Sequence, residues 1–492
     1  MAPTQSNETE DSSHGDFEEA VMLDPGEIKE EINSDEDVAM DSDCEFDCAE
    51  DDNEILQVQN DSCAYFDLHK HSIFCIAQHP LNFNIVATGG SEGDDAGGMG
   101  YIFDTSKGNS LTSQESCRRT QGDELENREL DLILKLEGHT DSISTLAFTL
   151  PEGEVLLSGG LDGRLRAYSV NPDQVWKFLG EVQEVEEINW LAACPNESFP
   201  NTVAFGANDG SVWVYSINPV SREMPFQLIQ SYFLHTGSCT AGSWTGDGKL
   251  LATVCEDGSL YVWDVFGESS AVGTTQGSGG AYVVGLSALD QRFAVDGGLF
   301  SVAVAPNGAF LAVGGAGGSI KVISLPDLGF KSKDEKQSSV KDNAKNSSRQ
   351  AGQILADLKA QTDGIETLAF ASLPMTLLAA GSVDGSIAIF DFAHQFAVRR
   401  LINQAHEDYS VVKVEFVPSL GTEGSLLTSC GMDGTVKRWD TRGGTGDGLV
   451  REFKGHRGEG EGGGVLGFVQ GDGSRIITAG DDGISLVFNS SS

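Results

Sequence analysis

A short pattern recurs along most of this 492-residue chain. It consists of an apolar run, an Asp-Gly pair or a close variant of it, and a second apolar run. The stretch KLLATVCEDGSLYVWD, which ends at Asp264, shows the pattern in full, and we count eight copies. Two strands joined by a tight turn and repeated at this interval predict the blades of a β-propeller. Six copies keep the turn acid, mostly 47 to 49 residues apart: Asp162, Asp209, Asp257, Asp384, Asp433 and Asp482.

The repeats predict an all-β fold, an eight-bladed propeller over residues 55–492 with a disordered acidic tail over residues 1–54. The tail holds 21 acids and a single base, Lys29, with few aromatic residues, which is a composition typical of disorder. Polar inserts at 105–129 and 326–352 interrupt the repeats, and we expect both to be surface loops.

The last copy of the pattern, ISLVFN, ends on the third strand of a blade. An open ring would leave that strand without a neighbour. We therefore expect the segment at residues 64–68, AYFDL, to supply the missing outer strand and to close the ring.

The adjacent acids Glu256 and Asp257 raise a question of role, because paired carboxylates can form an acid/base dyad or part of a turn. The position of Asp257 recurs in most copies, whereas the residue before it varies. An active site is rarely built several times in one chain. The pattern therefore favours a structural role for Asp257 and leaves the role of Glu256 open.

Residues around these turns resemble those of the WD-repeat family. The fourth copy holds His235, Thr253, Asp257 and Trp263. In that family the His hydrogen-bonds the turn Asp, a Ser or Thr on the next strand, and the Trp that closes the third strand. The second copy has a similar set, and Gln361 takes the His position of the sixth. The resemblance implies a structural role for His69, His139, His235, Asp162, Asp209, Asp257, Asp384, Asp433, Asp482, Trp263 and Trp439.

We expect no catalytic or metal site in this chain. A His-Asp pair beside a Ser imitates a hydrolase triad, but its recurrence favours the turn network over catalysis. No P-loop or metal-ligand cluster occurs, and the nine cysteines are scattered without a C-x-x-C pair. The polar, acidic N-terminus does not resemble a signal peptide, and no apolar run has membrane-spanning length. We therefore expect no cofactor and an intracellular, cytoplasmic location, with entry into the nucleus left open.

The charge of the chain argues for a basic partner. There are 75 acids against 31 Lys and Arg residues, a formal net charge of -44. Residues 55–492 still contain 54 of the acids and 30 of the bases, so the excess is not confined to the tail. Such a chain is poorly suited to nucleic acid or to anionic membranes, whose binders need a basic face. Acidity also aids solubility, but a propeller does not need this excess to fold.

A second resemblance rests on three segments in order: an acidic segment containing LDPG, then FDLHKHSIFCIAQHP, and later LAFASLPMTLLAAGSVDGSIAIFD. With eight repeats, these resemble the angio-associated migratory cell protein family, which includes a fungal Sqt-type ribosome-assembly chaperone. The resemblance implies a dedicated chaperone for one large-subunit ribosomal protein, L-ten or u-L-sixteen, in assembly of the 60S subunit. It implies that the basic N-terminal segment of the client is captured.

Propellers usually bind partners around one end of the central channel, so we read the loop and strand positions expected there. Carboxylates bind arginine in bidentate fashion, and aromatic rings stack on guanidinium groups. GIETLAF places Glu366 on an inner strand at the channel mouth, which makes it our leading candidate. The predicted partner-binding residues are Glu366, Glu187, Asp141, Glu256, Asp363, Asp408, Asp481, Glu92, Phe74, Phe300 and Tyr409, with Asp94 and Asp95 beside Glu92.

Two classes of function remain open at this point. The first is a monomeric binding chaperone for a basic ribosomal protein, and the second is a WD-repeat scaffold for signalling or ubiquitin-ligase complexes. Elution by rising salt discriminates between them. A chaperone should release one client in stoichiometric amount, whereas a scaffold should release several proteins.

Overall fold

The computed structural model describes residues 59–93, 97–110, 128–171, 175–267, 282–326, 351–418, 426–442, 446, 448–457 and 463–490. Over these ranges the chain forms the predicted all-β, eight-bladed propeller. The predicted tail over residues 1–54, most of the two polar inserts, and Asp94 and Asp95 lie outside the described residues. Among the described residues, no helix is long and apolar enough to cross a membrane.

Each blade is an antiparallel sheet whose first strand lies at the channel and whose second strand follows outward. The inner strands are β2 (Ile73–Gln78), β7 (Ile143–Phe148), β11 (Ile188–Ala193), β15 (Cys239–Trp244), β19 (Leu299–Val304), β23 (Ile365–Phe370), β27 (Val411–Phe416) and β31 (Val465–Val469). The second strands are β3 (Ile85–Gly90), β8 (Val155–Gly160), β12 (Thr202–Ala207), β16 (Leu250–Cys255), β20 (Phe310–Gly315), β24 (Leu377–Ser382), β28 (Leu426–Gly431) and β32 (Arg475–Gly480).

The third and fourth strands complete blades 1 to 8 in the same order. The third strands are β4 (Met99–Asp104), β9 (Arg164–Val170), β13 (Val212–Ile217), β17 (Leu260–Asp264), β21 (Ser319–Ser324), β25 (Ile387–Asp391), β29 (Val436–Asp440) and β33 (Ser485–Asn489). The outer strands are β6 (Asp131–Leu136), β10 (Trp176–Gln183), β14 (Phe226–Tyr232), β18 (Tyr282–Leu286), β22 (Ile354–Lys359), β26 (Ala397–Ile402), β30 (Leu449–Phe453) and β1 (Ala64–Phe66).

Burial explains why the second strands are apolar at nearly every position. Strands such as β8, β12 and β24 are buried along their whole length, because neighbouring blades cover both faces of each sheet. Within the described residues, eight hydrophobic clusters fill the eight interfaces between blades. The core is therefore a ring of interfaces rather than one central cluster.

The Asp-Gly pairs form the turns between second and third strands, as the repeat predicted. The glycine after each of the six turn acids has a positive φ between 72° and 83°. A side chain is strained in this left-handed region, so glycine suits the position. In the fifth blade, which lacks the acid, Gly317 and Gly318 both have positive φ values, of 61° and 76°.

Ring closure follows the prediction and adds one strand. β1 pairs antiparallel with β33, with Ala64 opposite Val487 and Phe66 opposite Ser485. The strand spans residues 64–66 rather than the whole predicted segment. A fifth strand, β5 (Arg128–Glu129), lies parallel to β1 on its outer side, so the closing sheet has five strands. The sequence pattern did not predict β5.

Candidate partner-binding rim

One end of the propeller is organised the same way in every blade. The turn between second and third strands donates a backbone hydrogen bond to the loop that leads into the inner strand. Glu256 N, for example, lies 3.0 Å from Ser238 O, and Asp481 N lies 2.9 Å from Gly464 O. The same contact occurs in all eight blades. We call the leading loops, the first two residues of the inner strands and these turns together the rim.

A β-bulge near the start of each inner strand shapes the rim. In β23 the pairing shifts register between Ile365 and Thr367, which leaves Glu366 as the extra residue. The corresponding shift occurs in all eight inner strands. A bulge breaks the pairing locally and re-aims the side chain of the extra residue. The second residue of each inner strand is therefore presented at the mouth of the channel.

The structure places most of the predicted acids on this rim. Glu366 is an exposed bulge residue, whereas Glu256 and Asp481 are turn residues and Asp141 and Asp363 belong to leading loops. Glu187 and Asp408 also lie in leading loops. These seven carboxylates are distributed over blades 2, 3, 4, 6, 7 and 8, so they surround the channel instead of forming one compact cluster.

Two of the leading-loop carboxylates are held in place by their own backbone. Asp141 accepts a hydrogen bond of 2.6 Å from Ser142 N, and Asp363 accepts one of 2.7 Å from Gly364 N. Both residues remain exposed. Such a carboxylate keeps further acceptor sites for a cationic partner while it loses little conformational freedom on binding.

The pKa of Glu366 is shifted upward from its ordinary value. Partial burial raises the pKa of its carboxyl group, and the negative charge of Asp363 raises that pKa further. A carboxylate whose charge is disfavoured in this way gains when a cation binds beside it. This electrostatic property distinguishes Glu366 from an ordinary solvated surface acid.

The predicted aromatic residues also reach the rim. Phe74 is a bulge residue with 41% of its surface exposed, and Phe300 and Tyr409 are partly exposed. Tyr409 and Glu407 line a cavity of about 210 Å³ between blades 7 and 8. An aromatic ring beside a carboxylate is a suitable arrangement for a guanidinium group.

Glu92 does not present a free carboxylate as expected. Its side chain is only 8% exposed, and one oxygen lies 3.8 Å from Lys70 Nζ. The other oxygen is buried without a hydrogen-bond partner among the described residues. Ser91 N donates to Ser72 O as Glu256 N donates to Ser238 O, so Glu92 takes the position of the turn acid in blade 1. The turn acids of blades 2, 7 and 8 are buried in the same way, with side-chain exposures of 1 to 6%.

The His–Asp–Ser/Thr part of the WD-type network is present in blades 2, 7 and 8. In blade 7, His406 Nδ1 donates to Asp433 at 2.9 Å, and its Nε2 accepts from Ser429 at 2.7 Å. Trp439 Nε1 completes the set by donating to Ser429 Oγ at 2.8 Å. The corresponding distances from His139 to Asp162 and from His456 to Asp482 are both 3.0 Å. Sequence reasoning overlooked His406 and His456, although the segment KGH that ends at His456 carries the Gly-His signal.

Blade 4 departs from the expected direct bond between His235 and Asp257. His235 Nδ1 lies 2.6 Å from Ser259 Oγ, and the Ser259 hydroxyl donates to Asp257. Asp257 also accepts from Thr236 N and Thr236 Oγ1, both at 2.7 Å. The histidine ring is anchored by Thr253 at 2.8 Å, to which Trp263 Nε1 also donates. Asp257 is half-buried, and the hydrogen bonds that it accepts hold the turn. Ser259 lies between Asp257 and His235 and hydrogen-bonds to both.

Hydrogen bonding around Asp257 controls its protonation. Burial would raise the pKa of this carboxyl, but the bonds from Ser259 and Thr236 outweigh burial and hold the pKa well below its usual range. Burial lowers the pKa of His235 to about 4. Ligand atoms of His235, Cys255 and Asp257 lie within 4.8 Å of one another. Such a group of side chains could hold a metal ion, but both ring nitrogens of His235 are hydrogen-bonded to the hydroxyl groups of Ser259 and Thr253.

The remaining structural candidates show how the network varies. Gln361 takes the histidine position in blade 6 and donates to Ser386 Oγ at 3.0 Å, while Asp384 accepts from Ser386 and Thr362. In blade 1, His69 bonds Thr88 at 2.9 Å, and its Nδ1 has no partner among the described residues. In blade 3, the hydrogen bonds that Asp209 accepts among the described residues come from Ser211, within its own turn.

Fold and rim together define the chain as a WD-repeat propeller with a carboxylate-rich rim. The model for the WD domain, G-beta repeat, matches residues 130–169, 226–264, 292–324 and 401–440. The crystal structure of Chaetomium thermophilum Sqt1 is 53% identical, with a TM-score of 0.76, and the match covers 88% of this chain and 99% of that one. This chain belongs to the Sqt1 family.

Curated relatives agree with this assignment. Ribosome assembly protein SQT1 of Saccharomyces cerevisiae is 28% identical over 491 residues, covering 92% of each chain. The human angio-associated migratory cell protein is 25% identical and covers 88% of this chain and 81% of its own length. Chaetomium thermophilum Sqt1 has also been solved bound to the N-terminus of the ribosomal protein L10, with the same identity and TM-score.

Proposed function

We propose that this protein is a dedicated chaperone that captures the basic N-terminal segment of ribosomal protein L10 and delivers it for assembly of the large ribosomal subunit. The observation that carries the proposal is the solved complex of Chaetomium thermophilum Sqt1, 53% identical to this chain, with the L10 N-terminus. The carboxylates that surround the channel here supply the charge that such a segment requires.

The rim suits this task because its acids are spread around a ring. A flexible basic segment that crosses the channel mouth meets carboxylates from several blades, and each can accept hydrogen bonds from arginine or lysine. Opposite charge on the two partners also steers the encounter. Once bound, the segment is withheld from RNA, which competes for the same cationic groups.

We propose further that the protein acts by binding rather than by catalysis. The His-Ser-Asp sets that resemble hydrolase triads are inaccessible, since the side chains of His139 and His406 are fully buried. Each set is also committed to holding a turn. Because ribosomal proteins are synthesised in the cytoplasm, capture of a newly made N-terminal segment would take place there.

Charge reversal on the rim tests the function. We expect Glu366→Lys, alone or with Glu187→Lys, to weaken binding of an L10 N-terminal peptide by a factor of about 30 or more. Removing one partner of a desolvated charge pair typically costs about 2–5 kcal/mol, and reversing the charge costs more. The measurement is titration calorimetry, with circular dichroism to verify the fold.

A matched control is Glu223→Lys, which changes the same charge on an exposed loop between β13 and β14, at the end opposite to the rim. It should bind the peptide as the wild type does. Equal binding by the wild type and the Glu366 variants would contradict placement of the site on the rim. A scaffold role would be favoured instead if affinity capture with salt elution released several proteins and no stoichiometric L10.

A further inference from the structure

The eight bulge residues form a ring at the channel mouth, and three adjacent members differ in chemistry from the other five. One comes from each blade, at the second position of the inner strand. Neighbouring inner strands contact one another around the channel, so adjacent bulge residues are neighbours in space. In blade order they are Phe74, Ser144, Asn189, Thr240, Phe300, Glu366, Val412 and Leu466.

In blades 2 to 4 the bulge side chains hold the ring together. Ser144 Oγ donates to Ile188 O at 2.6 Å, and Thr240 Oγ1 donates to Leu299 O at 2.6 Å. Asn189 Nδ2 donates to Cys239 O at 3.0 Å. Each acceptor is the first residue of the next inner strand. The donor groups of these three residues are engaged within the protein, where they join neighbouring inner strands.

The other five bulge residues form a continuous arc from blade 5 through blade 8 to blade 1. Four of them are apolar, and they flank a single carboxylate, Glu366. All five are at least partly open to solvent, and Phe74 is 41% exposed. Glu366 Oε1 and a ring carbon of Phe300 lie 3.8 and 4.0 Å from the point where a Cβ on Gly364 would stand. The carboxylate therefore lies close to the ring of Phe300.

We propose that this arc, Phe300–Glu366–Val412–Leu466–Phe74, is the selectivity element of the rim and binds an apolar or aromatic side chain that lies between basic residues of the client. This inference rests on the proposed function. Many ribosomal proteins carry basic tails, and long-range charge attracts them all. Discrimination needs a contact that other basic segments do not make. A partly exposed apolar arc around one acid supplies such a contact.

Salt separates this contact from the ionic ones, because screening weakens attraction between charges and leaves apolar burial intact. The probes are the L10 N-terminal peptide and a stripped peptide with the same Lys and Arg residues and Ser at every other position. Titrations are run at low and at high salt on the full chain. We expect the L10 peptide to bind more tightly than the stripped peptide at both. Both affinities should fall with salt while their ratio is retained, because the two peptides share the ionic contacts and differ in the apolar one.

The variants Phe74→Ser and Val412→Thr test the arc directly. Loss of apolar contact with a well-buried side chain should weaken binding of the L10 peptide about tenfold. Val412→Thr removes no aromatic ring and should leave binding of the stripped peptide unchanged, whereas Phe74→Ser should weaken binding of the stripped peptide less than that of the L10 peptide. Val412→Thr keeps the shape of the side chain, so it serves if Phe74→Ser impairs folding. The control is Val220→Ser, since Val220 is 87% exposed on the loop opposite the rim.

Each outcome separates the two proposals. If Glu366→Lys abolishes binding while both peptides bind equally and the arc variants behave as wild type, the chaperone role stands and the arc proposal is overturned. If neither peptide binds the wild-type protein, both proposals fail. Equal weakening of both peptides by Phe74→Ser also overturns the arc proposal, because it shows a general effect on the rim.

Discussion

At the scale of single residues, Glu256 and Asp257 show how adjacent acids acquire different roles. Asp257 accepts hydrogen bonds from Thr236 and Ser259 and holds the turn of blade 4. The side chain of Glu256 is exposed on the rim, and only its backbone N–H binds the leading loop. The repeat thus fixes the second acid and leaves the first available for binding.

Substitution of each acid tests this division. Asp257→Ala should lower the free energy of unfolding by about 2 kcal/mol, because the amides of Thr236 and Ser259 lose their acceptor. Glu256→Ala should leave stability nearly unchanged. Urea unfolding monitored by tryptophan fluorescence gives both values. Equal stability of the two variants would show that the turn does not depend on Asp257.

Buried histidines make stability depend on pH. Burial lowers the pKa of His235 to about 4 and that of His69 to about 3, whereas an unfolded histidine titrates near 6.5. Between these values the unfolded chain binds more protons, so the free energy of unfolding falls as the pH is lowered from 6.5. By pH 5.5 each histidine should contribute a loss of roughly 1 kcal/mol.

His235→Gln isolates one of these contributions, because Gln361 already fills the equivalent position in blade 6. The variant should lose roughly 1 kcal/mol less than the wild type between pH 7.5 and pH 5.5. Urea midpoints at the two pH values measure the difference. An identical loss in both proteins would show that His235 does not titrate in this window.

At the scale of elements, the closure of the ring is the feature that most depends on a few residues. β1 contributes only three residues to the eighth blade, and β5 covers its outer edge. Phe66 is 1% exposed and stacks on Phe103 with ring centroids 4.3 Å apart. Arg475 of blade 8 also hydrogen-bonds to blade 1, since it donates to Thr105 O at 2.9 Å and to Asn84 Oδ1 at 2.6 Å. Blades 8 and 1 are thus joined by apolar packing and by hydrogen bonds.

Phe66→Ala should weaken the interface between blades 8 and 1, which we call the seam of the ring. Truncation of a buried phenylalanine typically costs about 3–5 kcal/mol, and here the cavity would separate the first and last blades. We expect a lower unfolding midpoint and faster hydrogen exchange in β33 than in central blades. Leu68→Ala is the control, since Leu68 is 40% exposed just beyond β1. Uniform exchange across all blades would argue against a weak seam.

At the scale of the whole molecule, charge decides which partners approach. The formal net charge is -44, and residues 55–492 share in the excess. The field of such a chain attracts basic segments and repels nucleic acid. The rim adds a specific arrangement of carboxylates to this general attraction.

Salt and truncation separate the field from the rim. Affinity for the L10 peptide should fall by about an order of magnitude or more between 0.1 and 0.5 M salt. Removal of residues 1–54 should slow association more than it weakens equilibrium binding, because distant charges mainly affect the encounter. Stopped-flow kinetics and calorimetry measure the two effects. If the truncated chain fails to bind while the Glu366 variants bind normally, the acidic tail is the receptor.

The sequence by itself determined the architecture of this protein. Eight copies of strand–turn–strand, with Asp-Gly at the turn, define eight blades, because local turn geometry and apolar runs are encoded by neighbouring residues. The unpaired last strand predicted that the segment near Ala64 closes the ring. Most rim acids were also predicted, since every repeat places the same positions at the same end.

Tertiary structure alone decided how those side chains are used. The sequence predicts Glu92 as one more rim acid, but the register of blade 1 places it at the buried turn-acid position, beside Lys70. It shows His235 and Asp257 as a direct pair, but Ser259 stands between them. Three bulge residues, Ser144, Asn189 and Thr240, donate to backbone carbonyl groups of neighbouring blades, and the other five form the open arc. Such contacts join residues about 45 to 60 positions apart, so no local pattern records them.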